Sequence, residues 1–361
     1  MSNTLVTIDM VTREALRIAH EKCQFISTTD RQYDSSFAKT GAKIGASLRV
    51  RKPNQYLRTQ GTRVMDVQEQ DEKTSTVTVA TQDHVDMRFN SAELALSLDE
   101  LSKRYIEPAV SSLVSAIEGD YLAYATKKTY NVVGTAGTAI TDLTAPGLAR
   151  ARLNQMLAPK DRNRAIQMDS VTMAGLVKGV AAYFNPSGAI SEQYREGLVA
   201  RTSMADYYEN ERVWTLTNSA DVTVTTAAAA AVTDGGTNIT LASVGAGDTT
   251  AGMTFTVAGV YACHPETKQS LGYLQPYVVI TGGATTQTVS PATILTGPRQ
   301  NVCSAASAQL ATTAYNGTAV AVTFFGAMNT SYAQSLMYHK EAFQFVTADL
   351  PLMDDAHKCV R

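Results

Sequence analysis

The chain is short of charge. Asp, Glu, Lys and Arg make up 18% of its 361 residues, against about 25% in an average soluble domain. Neither sign is in excess: 31 Lys and Arg face 33 Asp and Glu, for a net charge of -2. That excludes a strongly basic nucleic-acid binder. Long apolar runs are missing too, and none approaches the roughly 18 residues of a membrane span. Residues 1–9 have no basic segment followed by an apolar one, so no signal peptide is expected. The four cysteines, Cys23, Cys263, Cys303 and Cys359, form no C-x-x-C pair, which suits a reducing cytoplasm and argues against a disulfide framework.

What is present is ordinary in amount. Apolar residues make up 44%, enough to exclude global disorder at so low a net charge. The length suggests two or three folding units at about 150 residues each. The shortage of charge is local. Residues 221–323 carry only Asp221, Asp234, Asp248, Glu266, Lys268 and Arg299, and are rich in Thr, Val, Ala and Gly. Such residues favour pleated surfaces and turns. Strands are expected at 222–226, 238–241, 253–257, 277–281 and 320–325, separated by glycine turns, as an all-β module of sandwich or barrel type.

Elsewhere the pattern is mixed. Apolar residues between charged ones over 9–25 predict an amphipathic helix. Ile44, Ala46, Leu48 and Val50 alternate with Ser47, Arg49 and Arg51, as in a half-buried strand. Val77 and Val79, then Val85, Met87 and Phe89, repeat the alternation. A charge-rich stretch, 54–73, joins these strands into an extended β arm with little core of its own, which needs a partner surface. Residues 97–128 predict the longest helix. Ser97 and Glu100 fit a capping box, Leu101, Tyr105, Ala109, Leu113, Ile117, Tyr121 and Tyr124 form the inward stripe, and Pro108 marks a kink or a second start. Residues 145–220 read as mixed α/β, with helices at 147–157 and 170–182 and a strand at 165–168. A helix at 329–339 and a strand at 342–347 are expected near the end.

No catalytic constellation emerges. There is no Gly-x-Ser-x-Gly elbow. His20 and Cys23 could share a metal on the first helix, but no second pair completes four ligands. Cys263 and His264 are adjacent rather than at chelating spacing, and Gly245-Ala246-Gly247 lacks the Lys-Ser/Thr of a phosphate loop. The densest basic run, Arg150, Arg152, Lys160, Arg162 and Arg164 around Asp161, reads as a solvated face in preference to a contact for nucleic acid or an acidic partner. The expectation is therefore no catalytic residue, no metal, no cofactor and no enzyme activity. Projecting arms make sense where other copies receive them.

Three blocks carry a resemblance. The first is Met87-Arg88-Phe89-Asn90-Ser91-Ala92-Glu93-Leu94, continuing to Asp99 and then Arg104-Tyr105-Ile106-Glu107-Pro108-Ala109. The second is Tyr183-Phe184-Asn185-Pro186, followed by Tyr194-Arg195-Glu196-Gly197 and Asp206-Tyr207-Tyr208. The third is Ala251-Gly252-Met253-Thr254-Phe255-Thr256-Val257-Ala258-Gly259-Val260. In this order they resemble the major capsid (coat) proteins of short-tailed double-stranded DNA bacteriophages, the coat family with an inserted β domain.

The resemblance implies an α+β chain in the tailed-phage capsid fold. Residues 1–43 would be the N-terminal arm and 44–90 the extended loop. Residues 91–144 would hold the spine helix and peripheral domain, 145–220 the axial domain, 221–323 the inserted all-β domain, and 324–361 the return to the axial and peripheral domains. Family members continue through further strands beyond the match at 346–352, so the resemblance implies either a shortened form or a longer chain. It implies a virion protein, made in the host cytoplasm, that assembles with itself into hexamers and pentamers. A scaffolding protein, a portal and non-specifically held DNA would be its partners, with a decoration protein left open and no membrane contact. Candidate intersubunit contacts in the extended loop are Arg58, Arg63, Asp66, Glu69, Asp71, Glu72 and Lys73. The alternative is another self-assembling virion component, such as a decoration or tail-tube protein.

Overall fold

The computed structural model describes residues 8–31, 47–58, 60–61, 67, 72–78, 81–86, 102–180, 204–219, 234–241, 249–283, 286–308, 310 and 320–347. The chain is α+β and divides into two compact units. One comprises residues 1–117 and 341–361, the other 118–340. The expected strand at 222–226, the capping box at 97–100 and the turn at 185–188 lie outside the described residues.

In the first unit, helices α1 (Ile8–Lys22) and α2 (Phe25–Thr28) follow the amphipathic stretch. Ile18 is buried against Ile106, with Ala15, Tyr105 and Val110 around it. Beside them Ser102 donates to Glu14 at 2.9 Å, and Glu14 also pairs with Arg17. Residues 342–347 were expected as a strand. Instead a 3₁₀ turn (Lys340–Ala342) is followed by one parallel bridge between Asp30 and Gln344. The Asp30 backbone exchanges hydrogen bonds with Phe343 and Phe345 at 3.2 and 2.9 Å, and Phe343 packs on Phe25 with ring centroids 6.2 Å apart.

The long helix begins as a π-turn (Ser102–Ile106) and continues as α3 (Glu107–Lys128), whose residues from 118 onward belong to the second unit. Pro108 explains the change. Its nitrogen has no hydrogen to donate, so it fits the first turn of α3 and not the interior of one longer helix. The buried positions are Ser102, Ile106, Val114, Glu118, Leu122 and Ala125. The predicted stripe was therefore displaced by one residue, and Tyr124, expected inward, is 60% exposed.

The second unit has an α/β layer and a β module. Helices α4 (Thr144–Gln155) and α5 (Ser170–Val180) flank strand β3 (Arg164–Met168) in sequence. Asp169 caps α5, accepting from the Thr172 N–H at 3.2 Å. Every residue of β3 is buried. It pairs in parallel with β4 (Asp206–Glu209) and antiparallel with β13 (Leu336–His339). Ile166, Met168, Met173 and Leu176 form the core there. A polar chain crosses the sheet, with Asn210 donating to Gln167 at 3.4 Å and Gln167 to the Tyr338 hydroxyl at 3.2 Å.

The helix expected at 329–339 is absent. Its residues form β12 (Ser331–Ala333), paired with β5 (Thr215–Thr217), and then β13. Leu336 and Tyr338 both enter the core, so pairing with β3 and β5 overrides local helix preference.

The β module is one antiparallel sheet ordered β10-β7-β8-β9-β6, with β11 also on β7. Its strands are β6 (Gly236–Thr240), β7 (Thr254–Cys263), β8 (Ser270–Thr281), β9 (Thr286–Thr293), β10 (Val302–Cys303) and β11 (Val322–Phe324). The two longest exceed expectation because Gly259 and Pro276 break their apolar patterns without ending them. The β7–β8 ladder shifts register between Thr256 and Tyr261. Phe255 stacks near Tyr277 at 5.9 Å and Phe324 at 5.2 Å, within a core that includes Met253, Val257, Val279 and Leu295.

Candidate subunit interface

Strands β1 (Ser47–Arg51) and β2 (Thr74–Thr78) form an antiparallel pair in the register Ser47 to Thr78 through Arg51 to Thr74. Alternation divides this hairpin into two chemically different faces. Ser47, Arg49 and Arg51 lie opposite Thr78, Thr76 and Thr74 on one side, while Val50 lies opposite Ser75 on the other. Of the residues expected to face inward in the first strand, only the Val50 side chain is described, and it is open. Ser47, Arg49, Val50 and Arg51 are all exposed, Val50 by 38%, and in β2 only Val77 is partly covered. Residues 81–86 form no strand, and Val85 is exposed. Tyr56, Leu57 and Val67 add further exposed apolar side chains to the arm.

Of the seven proposed contact residues, Arg58, Glu72 and Lys73 are exposed. Arg63, Asp66, Glu69 and Asp71 lie outside the described residues. Glu72 reaches Arg51 at 3.5 Å, a solvent-exposed pair of the kind worth about 0–1 kcal/mol. Sequence reasoning named charges here and missed Tyr56 and Leu57, which sit among polar residues without a period to mark them.

The other candidate residues separate into structural contacts. Cys263 ends β7 and is buried beside β10, where Cys303 lies opposite Tyr261. Burial, then the neighbouring Cys303, pushes the Cys263 thiol up to about 12. It is not the thiolate that a nucleophile needs at neutral pH. The His264 ring nitrogen Nδ1 accepts from the Glu266 and Thr267 N–H groups, both at 3.2 Å, and so shapes a turn. Among the described residues no group of three metal-ligating side chains converges, and no helix is long and apolar enough to cross a membrane.

A cleft of about 570 Å³ opens in the second unit beside Asn131, Asp142, Arg152, Trp214 and Tyr332. Among the described residues its lining includes no His, Cys or Glu. Trp214 packs against Gly252, where an added Cβ would lie 2.5 Å from the indole, and Lys127 sits 5.1 Å from the ring centroid. Arg152 stacks on Tyr273.

His339, 5% exposed, meets Asp161 at 2.9 Å. Desolvation pushes the Asp161 carboxyl up, but hydrogen bonds from Asn163 and His339 outweigh it, and the net shift is down from 3.8. A depressed carboxyl stabilises the fold above its unfolded pKa and loses that contribution as pH falls through the folded value. The Tm difference between wild type and Asp161→Asn should therefore be full near neutrality and shrink as pH drops below about 3.8. Thermal melts across that range check this, and a difference that grows in acid contradicts it.

No family model matches the chain, and no curated protein matches it. A solved structure described as Mycobacterium phage Che8 is similar over 52% of this chain and 69% of its own, at 12% identity and a TM-score of 0.40.

Proposed function

We propose that this chain is a structural shell subunit, the major capsid protein of a tailed double-stranded DNA phage, and not an enzyme. The observation that carries the reading is the β1–β2 hairpin, whose strands expose apolar Val50 on one face and Arg49 and Arg51 on the other. A two-stranded ribbon without a covering layer is marginal in water, and other copies of the chain supply that layer. The three sequence blocks that resemble phage coat proteins support the same reading. In this account the subunit forms hexamers and pentamers, meets a scaffolding protein and a portal during assembly, and holds packaged DNA without sequence preference.

Val50→Asp tests it. The residue is exposed, so the change should shift the subunit's Tm by the small amount typical of surface substitutions, within about ±0.5 kcal/mol. Burying a valine is worth about 1.5–3 kcal/mol, and each subunit of an assembly would lose that and bury a carboxylate besides. Sedimentation should show capsomers and shells for the wild type and free subunits for the variant. Assembly by Val50→Asp at the wild-type concentration would remove the hairpin from the interface. Tubes instead of closed shells would favour a tail component.

A further inference from the structure

We propose that the loop between α4 and β3, with Arg150, Lys160, Arg162 and Arg164 around it, is a binding site for a phosphate group. The basic run was expected to be a solvated face. The structure divides it. Arg152 is committed to the Tyr273 ring. Arg150, Lys160 and Arg162 are exposed. Arg164 is 1% exposed, and its Nε and Nη2 donate to the Pro159 and Ala158 carbonyls, both at 2.9 Å.

That leaves a buried cation poorly compensated. The Arg164 Nη1 is buried with no hydrogen-bond partner. The acid beside it, Asp161, is engaged with His339 at 2.9 Å and with both the backbone and side-chain N–H of Asn163 at 3.1 and 2.7 Å. A buried charge of this kind costs free energy until an anion faces it. Burial lowers the Arg164 pKa, Asp161 raises it, and Arg150 is close enough to lower it further. Lys340 follows His339 and donates its N–H to the Asn163 carbonyl at 2.9 Å, adding another exposed cation.

The loop starts from a closed helix end. Leu157, two residues past α4, has φ of 62°, and the Leu157 and Ala158 N–H groups donate back to the Asn154 and Leu153 carbonyls at 3.1 and 2.9 Å. Arg164 fixes the next two carbonyls. The result is a rigid turn with Lys160 and Arg162 exposed on it. Several cations around one acid match a tetrahedral dianion better than a single carboxylate, and guanidinium forks suit phosphate oxygens. The phosphate can come from a nucleic-acid backbone or from free phosphate. The inference does not rest on the shell reading, and either can fail alone.

The test uses the purified full chain and a triple variant, Arg150→Gln with Lys160→Gln and Arg162→Gln, whose unchanged Tm in chloride confirms folding. Arg164→Lys is a second variant that keeps the buried charge but not the fork. Inorganic phosphate should raise the wild-type Tm more than chloride at equal ionic strength, and a short mixed-sequence duplex should bind at low salt. The triple variant should lose the phosphate effect. Its log affinity for duplex should depend on log salt with a slope smaller by about one for each cation removed. Duplex binding far tighter than phosphate binding identifies nucleic acid as the source, and comparable binding identifies free phosphate. The proposal is overturned if the triple variant responds to both probes as the wild type does. It is also overturned if only polyglutamate binds, which would make the loop a dock for an acidic protein.

Discussion

Gly179→Ala should destabilise the second unit by about 3 kcal/mol or more, although helix propensity alone predicts the opposite sign. Gly179 lies in the last turn of α5. In a helix interior, alanine is favoured over glycine by roughly 0.5–1 kcal/mol. Here a Cβ would lie 1.4 Å from the Thr141 carbonyl oxygen and 2.5 Å from its carbon. These are backbone atoms, and they cannot rotate aside. One turn earlier, a Cβ at Gly175 would lie 3.2 Å from the Ile140 oxygen, a contact that a shift of a few tenths of an ångström relieves. Overpacking usually costs about 1–3 kcal/mol, and the Gly179 overlap belongs above that range. Denaturant midpoints should therefore rank wild type, then Gly175→Ala, then Gly179→Ala far below. Equal stability for Gly179→Ala would show that segment 140–142 does not lie against α5.

Arg212→Met should cost about 3–5 kcal/mol, the usual penalty for removing one partner of a buried ion pair. Glu118 is fully buried on α3 and pairs with Arg212, itself 24% exposed, in the connection between β4 and β5. The Asn210 side chain fixes this connection by accepting from the Arg212 N–H at 3.0 Å. Methionine fills part of the volume but removes the positive charge that faces the buried carboxylate. Replacing both partners, with Glu118→Leu added, should recover most of the loss, because two apolar groups of similar volume carry no desolvation cost. A double variant no more stable than Arg212→Met would mean that Glu118 is held chiefly by its other contacts.

The sequence disclosed elements wherever local periodicity and tertiary burial agree. The amphipathic α1, the β3 strand and the α5 helix are all where residue patterns put them. The low-charge segment holds the β module, with Asn238, Phe255, Tyr277 and Thr323 on strands that pattern alone located. Failures occur where a distant partner decides. Leu336 and Tyr338 belong to a strand because β3, far away in sequence, is beside them. The α3 stripe shifted because Glu118, a charged residue that pattern reading turns outward, is buried with its arginine. Burial of Arg164 was invisible for the same reason, since its two acceptors are backbone carbonyls.

The β1 strand was legible, because residues of two kinds alternate over Ser47–Arg51. The exposure of Val50 was not legible, since alternation predicts one buried face whether the covering layer belongs to the same chain or another. Val50 is apolar, in register with Ser75, and exposed. The candidate contacts Arg58, Glu72 and Lys73 flank the same hairpin and are exposed with it.

Electron microscopy of the purified full chain across a concentration series, with sedimentation on the same samples, tests the central claim most directly. The account predicts six-fold and five-fold capsomers and closed icosahedral shells, and their loss in Val50→Asp. A folded chain that stays monomeric at every concentration, with neither capsomers nor shells in the images, would contradict it.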